Sequence, residues 1–474
     1  MDNMMHHHLR EGSLGVKDIV FFVIAAAAPL GATIGAVPVV FSVGGPAAPA
    51  LFLVASLMLL IFAVGLATFS RYIVSAGGFA DIVKKGLGKT FGYTVAGIAL
   101  LAYLSMLTGL YAQFATLLSD MIKTIFGADV PWQACILVAL LFVGVLGYKD
   151  IELSSRVLGL LMILEVLILL IFDAVVLFKT HWSSFSSVHD IFPFPDLNNS
   201  GSTVALLFAM CCFVGFESTT LYGEEAKNPH KTVPAATYVA VSLIGIFFIL
   251  TTFCLNIAYS NQKVQDVATA DLMNFVFSAN TAYVGEWSTR IMQVLVVTSV
   301  LAVLLSFHNA LCRYLFSLAR HNFLNMNLSK VHPVYKSPHI ASIVLTVMIG
   351  LISLLFVLAH ADPINQMYMF MVGLGTLSII SLQMLGSYAI SAYFIKNKKG
   401  HLFTGKVLPL IAGMILTTVC FFTFINFNLL SGSDSLLAVS LPWLVIVAGV
   451  TGTINGVYRN RKKGNRNASV STVS

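Results

Sequence analysis

Two short glycine-containing segments interrupt long apolar stretches of this sequence: residues 31–35, which read GATIG, and residues 213–217, which read FVGFE. Unpaired backbone groups are costly in lipid, so a helix break in a membrane span persists only where it lines a cavity. A half-helix that begins at a break offers free N–H groups and a positive dipole end to an anion. A half-helix that ends at a break offers carbonyl oxygens to a cation. Together the two segments are suited to a small zwitterion that carries a carboxylate and an ammonium group.

Each segment also has a simpler interpretation, because glycines in membrane helices more often serve close packing between helices. The pair is more informative than either member alone. The second segment lies five apolar stretches after the first at a corresponding depth, which is the pattern of a transporter built from two repeats. Because an offset of five spans is odd, the second repeat would enter the membrane inverted relative to the first.

Ionisable side chains also lie inside apolar stretches, where an unpaired charge costs roughly 3 kcal/mol. Glu165 is near the middle of the fifth stretch, and desolvation favours its neutral form, so it could carry a coupling proton. It could equally ligate a cation, contact a substrate amine or form a static hydrogen bond to a neighbouring helix. Asp173, two turns further along, is predicted to face an outer vestibule. His308 is predicted either to pack with a hydrogen bond or to relay protons.

The composition places these residues in an integral membrane protein. Hydrophobic residues make up 58% of the 474-residue chain and charged residues only 10%, and the mean hydropathy is +0.88. A soluble domain of this length would need far more surface charge. Apolar stretches long enough for a span of about 20 residues predict twelve transmembrane helices. They are predicted to begin near residues 18, 47, 91, 132, 157, 203, 233, 287, 338, 364, 407 and 436.

Basic residues are distributed unevenly between the two faces of this topology. Of the 27 Lys and Arg residues, 23 fall on one face, so both termini are predicted to be cytoplasmic by the positive-inside rule. The predicted location is the plasma (inner) membrane. The net charge of +7 follows from the same loop bias, so a nucleic-acid partner is not needed to explain it. The basic tail at residues 459–466 is interpreted as a membrane-flanking anchor.

Other chemistries find little support in the sequence. All six cysteines fall inside predicted spans, so no disulfide framework is expected. The first apolar run continues into a full span, so no cleaved signal peptide is expected. The sequence has neither an H-E-x-x-H nor a G-x-S-x-G motif, and it has no repeated pore loop. We therefore predict neither an enzyme nor a channel, and no metal or cofactor.

The order of GATIG, FVGFES, GEEAKNPHKTVPAAT and NALCRYLFSLAR resembles the amino acid-polyamine-organocation superfamily of permeases across essentially the whole chain. The resemblance implies an all-α, leucine-transporter-like fold of two inverted five-helix repeats plus two C-terminal helices. It also implies that pocket residues come from spans one, three, six, eight and ten. The implied division of the chain is a cytoplasmic tail at 1–17, a first repeat at 18–180, an outer loop at 181–202, a second repeat at 203–397, two additional helices at 398–458 and a basic cytoplasmic tail at 459–474.

The family's functional segments can be matched to this sequence residue by residue. The carboxylate-binding segment falls on residues 31–35, and the amine-binding and gating segment falls on residues 213–217. Phe213 matches the aromatic residue that caps bound substrate in relatives, with core packing as the alternative. Glu217 matches the family glutamate beside the second break, where it is predicted to accept hydrogen bonds from freed backbone donors, with direct substrate contact as the alternative. The predicted substrate-binding residues are Gly31, Ala32, Thr33, Ile34, Gly35, Phe213, Gly215 and Phe216.

Three positions depart from the family pattern. Thr33 stands where many relatives have a second glycine. Cys211 stands where some exchangers of bulky cationic substrates carry a large aromatic residue, so that substrate preference is not transferred. Glu165 stands where several relatives have a lysine that resembles a protonatable substitute for a bound sodium ion.

The sequence thus predicts a secondary transporter that imports an amino acid or related amine by alternating access, with Glu165 carrying the coupling proton. An obligate exchanger and a sodium-coupled symporter are the alternatives, and Ser306 is a weak candidate ligand for sodium. In the third span Tyr103, Tyr111 and Gln113 are candidate pocket residues, with helix packing or lipid contact as equal alternatives.

Overall fold

The computed structural model describes residues 14–73, 78–149, 155–180, 192–196, 199–320, 323–398, 400–430 and 436–471. The predicted cytoplasmic tail up to residue 13 and most of the outer loop predicted at 181–202 lie outside these ranges. The described chain is almost entirely helical, since a helix satisfies its own backbone hydrogen bonds in an apolar environment.

Seventeen α-helices make up most of the described chain. They are α1 (Val16–Ala27), α2 (Pro29–Gly44), α3 (Ala48–Ser70), α4 (Gly78–Leu87), α5 (Lys89–Phe126), α6 (Trp132–Tyr148), α7 (Ser155–Lys179), α8 (Ser200–Cys211), α9 (Pro229–Tyr259), α10 (Val264–Ala270), α11 (Phe275–Tyr283), α12 (Glu286–Arg320), α13 (His339–Leu358), α14 (Met369–Lys396), α15 (Leu408–Ile425), α16 (Leu436–Ser440) and α17 (Trp443–Ser471). Short 3₁₀ helices cover Gly45–Ala47, Phe216–Glu224, Met326–Ser329 and Phe427–Leu430, and π-helical turns cover Pro363–Tyr368 and Leu402–Val407.

Within the described ranges, ten helical stretches are long and apolar enough to cross a membrane. One of them, Pro29–Ser70, contains both α2 and α3, and the apolar helix α6 is shorter at 17 residues. These helices confirm an all-α integral membrane protein. The count of twelve spans, the inverted repeats and the division of the chain at the residues given above stay predictions.

The first predicted span is broken, but the break lies at Ala28 and not within residues 31–35. Ala28 has φ 43° and ψ 70°, a left-handed conformation, and Pro29 opens α2. Proline disfavours the α conformation in the residue before it and has no N–H to continue the hydrogen bonds of α1. Residues 31–35 are helical, and Ala32 donates to the Ala28 carbonyl at 2.9 Å. The predicted position of this break is therefore wrong by about one helical turn.

The second break lies where it was predicted. Helix α8 ends at Cys211, and the 3₁₀ helix Phe216–Glu224 begins after Gly215. Gly215 has φ 111° and ψ −21°, a conformation that strongly favours glycine because it has no Cβ. The chain therefore changes direction at the one glycine within residues 213–217.

The two broken segments pack against each other at the centre of the molecule. Helix α2 packs along α8, and α1 packs against the 3₁₀ helix Phe216–Glu224. Helix α5 contacts α14 on one side and α17 on another. Helix α4 buries Phe79, Ile82 and Val83 and packs against α5 and α14. These helices surround the breaks with an apolar scaffold.

Candidate functional site

A cavity of about 70 Å³ lies beside the first break. It is bounded by the end of α1 and the start of α2, by α5, by the end of α8, by α12 and by the start of α14. These elements correspond to predicted spans one, three, six, eight and ten. Gly31 and Ala32 line it on the side of the break, and Gln113 lines it on the side of α5. A ligand in this cavity would therefore contact the N-terminal turn of α2.

The start of α2 is a natural site for an anion. The first N–H groups of a helix have no partner within the helix, and they carry the positive end of its dipole. Here Pro29 occupies the first position without an N–H of its own. The N–H of Leu30 lies close to the carboxyl group of Glu165, and the next residue, Gly31, lines the cavity. One helix terminus thus meets both a buried acid and the cavity.

Glu165 lies on α7 with only 3% of its surface exposed. Besides the Leu30 N–H, the hydroxyl of Ser299 on α12 lies close to its carboxyl group. The oxygen Oε2 has no hydrogen-bond partner. No cationic side chain among the described residues forms an ion pair with it. A carboxyl group in these surroundings can bind and release a proton or a cation at the start of α2.

Gln113 and Tyr368 approach the same turn because Gly35 has no side chain. Gln113 Nε2 donates to the carbonyl oxygen of Gly31 at 2.8 Å. A Cβ on Gly35 would lie 2.5 Å from the Tyr368 hydroxyl oxygen and 2.9 Å from the amide carbon of Gln113. Gln113 and Tyr368 both line the cavity. The glycine therefore allows two polar side chains to reach the broken span.

The other predicted binding residues are distributed differently. Thr33 uses its hydroxyl within α2, donating to the Pro29 carbonyl at 2.7 Å, and Ile34 is buried. Phe213 is fully buried with its ring centroid 6.4 Å from that of Phe248. Phe216 is also fully buried, and its ring packs against Phe62. Of the eight residues predicted to bind substrate, the cavity walls include Gly31 and Ala32, and the proposed roles of all eight stay predictions.

Glu217 lies at the second break and contacts its backbone. Its Oε2 accepts a hydrogen bond from the Gly215 N–H at 3.1 Å, and its own N–H lies close to the carboxyl group. The side chain is 8% exposed. This arrangement satisfies donors at the start of the 3₁₀ helix Phe216–Glu224, as a capping residue does.

Asp173 and His308 lie outside the cavity. Asp173 is 1% exposed and accepts a hydrogen bond from Thr251 on α9 at 2.9 Å, so the prediction that it faces an open outer vestibule is wrong. His308 Nε2 lies 2.9 Å from the Ser342 hydroxyl of α13. Since nine residues separate His308 from Ser299, the two side chains point to opposite faces of α12. His308 therefore faces the surrounding helices and not Glu165.

Several contributors to the site were missed in the sequence. Ser306, the predicted hydroxyl of the eighth span, is exposed, and the hydroxyl that meets Glu165 belongs to Ser299. Val300, Val303 and Phe307 line the cavity from α12. Their spacing of three and four residues places them on one helical face, and that face could have been found by projecting the span onto a helix.

Comparison with known proteins agrees with this architecture. Residues 14–451 match the model of a family described as amino acid permease. The chain is 23% identical over 420 residues to the branched-chain amino acid permease BcaP of Bacillus subtilis, covering 85% of this chain and 84% of that protein. It is 22% identical over 375 residues to the low-affinity putrescine importer PlaP of Escherichia coli K12, covering 74% of each.

A third relative is named for a different kind of solute. The chain is 22% identical over 311 residues to the methylthioribose transporter of Bacillus subtilis, covering 62% of this chain and 64% of that protein. The family match spans nearly the whole described chain and includes both breaks, the cavity and Glu165. This protein is a multi-pass membrane transporter and not an enzyme, and it belongs to the amino acid permease family of the amino acid-polyamine-organocation superfamily.

Proposed function

We propose that this protein imports an amino acid, or a related amine, across the plasma membrane by alternating access and that protons drive the import. The names of the relatives support the solute class, since they include a permease for branched-chain amino acids and an importer of putrescine. The cavity beside the first break is the proposed binding site. In this proposal the substrate carboxylate binds at the N-terminal turn of α2, and the amine lies toward the second break.

The observation that carries the proton coupling is the position of Glu165 at the start of α2. Its carboxyl group lies close to the Leu30 N–H, while the adjacent Gly31 lines the cavity. An ionised Glu165 and a substrate carboxylate would compete for the same positive helix end and repel each other. Protonation of Glu165 removes its charge and leaves the helix end to the substrate. Proton binding and substrate binding therefore favour each other, as symport requires.

Release of the substrate depends on the same linkage between proton binding and substrate binding. When the site opens to the cytoplasm, water reaches Glu165 and stabilises the ionised carboxylate. The ionised side chain regains the N–H of Leu30 and the hydroxyl of Ser299, and it repels the substrate carboxylate. Couplings between two ligands of one protein are typically about 1–3 kcal/mol, which corresponds to roughly 5- to 150-fold in substrate affinity.

Uptake into proteoliposomes tests this proposal. Wild-type protein should accumulate a labelled amino acid under an inward proton gradient without internal substrate. Glu165→Gln should keep exchange with internal substrate but lose accumulation, because its side chain cannot release a proton. Asp173→Asn is the matched control, since it neutralises another buried acid of α7 that lies outside the cavity, and it should still accumulate substrate.

Two outcomes would favour the alternatives. Uptake that requires internal substrate, with or without the gradient, would make the protein an exchanger. Accumulation that follows a sodium gradient would place sodium, in place of the proton, beside Glu165 and Ser299. If Glu165→Gln still concentrates substrate under the proton gradient, the proposed role of Glu165 is wrong.

A further inference from the structure

We infer that the substrate is an amino acid with a small, uncharged side chain, of the size of glycine, alanine, serine or cysteine. This inference rests on the proposed function, since it takes the cavity beside the first break as the substrate site. It excludes branched, aromatic, acidic and basic amino acids as preferred substrates, and it excludes polyamines. Three properties of the cavity support it: its charge, its volume and the rigidity of one wall.

Among the described residues that line the cavity, none carries a carboxylate, ammonium or guanidinium group. Their polar side chains are those of Gln113, Cys211 and Tyr368, and the Gln113 amide nitrogen already donates to the Gly31 carbonyl. Most of the remaining lining is aliphatic. A lysine, arginine or glutamate side chain would bring a charge into these surroundings without a partner, which is strongly unfavourable. A polyamine would also lack the carboxylate that the start of α2 is suited to bind.

The volume of the cavity limits the size of the substrate. Its value is about 70 Å³, which is less than half of the ~150 Å³ of a cavity in which a protein holds benzene. Drug-sized ligands occupy pockets of roughly 300–1,000 Å³. Once the amino and carboxylate groups are placed, little space is left for a side chain. The cavity therefore favours the smallest amino acids over leucine.

The wall formed by α5 and α14 is held in place by close packing. Met106 and Val372 both line the cavity. A Cβ on Gly109 would lie 2.6 Å from a methyl carbon of Val372, and a Cβ on Gly375 would lie 2.9 Å from the Met106 backbone nitrogen. The two helices therefore touch on both sides of the cavity wall. Since neither helix can retreat without losing this contact, the wall does not yield easily to a larger substrate.

Phe307 limits the cavity from α12 in the same way. It lines the cavity, and its ring packs edge-to-face on Tyr103, with centroids 6.3 Å apart. Such aromatic pairs are worth about 0.5–1.5 kcal/mol beyond their buried area. Tyr103 thus supports the wall from behind without lining the cavity itself.

Competition with labelled alanine in proteoliposomes tests the substrate class. Glycine, serine and cysteine at 100-fold excess should each reduce alanine uptake at least fivefold, while leucine, phenylalanine, glutamate, arginine and putrescine should reduce it less than twofold. Preferred transport of leucine, arginine or putrescine would overturn this inference and leave the proposed function intact. If no amino acid or amine of the panel is transported, both are wrong.

A cavity-enlarging variant tests the role of the wall. Met106→Ala should lower the KM for leucine relative to that for alanine by at least fivefold, because the truncated side chain opens the wall. Met292→Ala is the matched control: Met292 is fully buried on α12 but does not line the cavity, so the ratio of the two KM values should not change. If the ratio of the KM for leucine to the KM for alanine is the same in wild type and in Met106→Ala, this wall does not limit the size of the substrate.

Cys211 provides a readout that does not depend on transport. It lines the cavity and is partly exposed, so a small methanethiosulfonate reagent should modify it, and Cys211→Ser should abolish that modified peptide in mass spectrometry. Alanine should slow the modification at least fivefold, and leucine, arginine and putrescine should not. Protection by arginine or putrescine and not by alanine would overturn the inference.

Discussion

Among single residues, Gly35 shows how a missing side chain can organise a site. The glycine lies inside α2, so its role is not to break the helix. It leaves space for the Gln113 amide and the Tyr368 hydroxyl, which come from α5 and from the turn before α14. Gln113 then binds the carbonyl of Gly31 at the start of α2. Three predicted spans therefore meet at one position where a Cβ would not fit.

We expect Gly35→Ala to displace Gln113 and to break its hydrogen bond to Gly31. The net value of such a bond is about 0.5–1.5 kcal/mol, so the KM for substrate should rise about 2- to 13-fold in uptake assays. Gly350→Ala is the control, because a Cβ there would meet only Leu140 at an ordinary contact distance of 3.8 Å. An unchanged KM in Gly35→Ala would show that Gln113 does not shape the binding site.

Residue type decided which parts of the site could be predicted from the sequence. Glu165 and the GATIG segment could be named as candidates because an acid or a clustered glycine is unusual in an apolar span. Met106 and Phe307 were not predicted, because the sequence does not show which of the many apolar side chains in a span face the cavity. Ser299 was missed for a related reason: several hydroxyl side chains occur in that span, and only the fold identifies the one that meets Glu165.

At the scale of helices, α1 of the first broken span contacts the 3₁₀ helix Phe216–Glu224 that follows the second break. Leu14, just before α1, pairs with the chain after the 3₁₀ helix Phe216–Glu224. Its N–H donates to the Glu225 carbonyl at 3.0 Å, and its carbonyl accepts the Lys227 N–H at 2.9 Å. Further along, the rings of Phe22 and Tyr222 stack with centroids 5.7 Å apart. Any motion that separates α1 from this 3₁₀ helix must break these contacts.

We expect Leu14→Pro to make that separation easier. Proline has no N–H to donate to Glu225, and the loss of about 1 kcal/mol from one net hydrogen bond corresponds to about a fivefold shift between the two arrangements. The modification rate of Cys211 by a membrane-impermeant thiol reagent, added on the side of the chain termini, should rise accordingly. Leu14→Ala retains both backbone bonds and should leave the rate unchanged. Equal rates in both variants would show that the pairing does not hold the two elements together.

The helices themselves were largely predictable, and the details of the breaks were not. Hydrophobic length alone located the apolar helices, since the requirement for internal hydrogen bonds in lipid leaves few alternatives. The second break was predicted correctly because Gly215 needs its positive φ. The first was misplaced because the sequence offered two causes, the glycines of GATIG and Pro29. The proline determined the break by removing a donor and constraining Ala28, while the glycines serve close approach.

For the whole molecule, the distribution of charge is the feature that relates the fold to a membrane. Charged residues are 10% of the chain, and most of them fall between the apolar helices. With the helices as observed, Arg71 and Lys149 directly follow α3 and α6, and Arg320 and Lys396 are the last residues of α12 and α14. The short segment between α9 and α10, residues 260–263, contains one basic residue, Lys263. This bias predicts one orientation in the bilayer.

We therefore expect both termini to lie in the cytoplasm when the protein is expressed in a bacterial inner membrane. A fluorescent protein fused after Ser474 should be bright, and alkaline phosphatase fused there should be inactive, because the phosphatase needs the oxidising periplasm to form its disulfides. Phosphatase inserted after Asn261, between α9 and α10, should be active and serves as the matched control. The reverse pattern of reporter activity would show that the topology is the opposite of the predicted one. Glu165 would then lie in a site whose α1 side opens to the periplasm, and the direction of coupled transport argued above would have to be reversed.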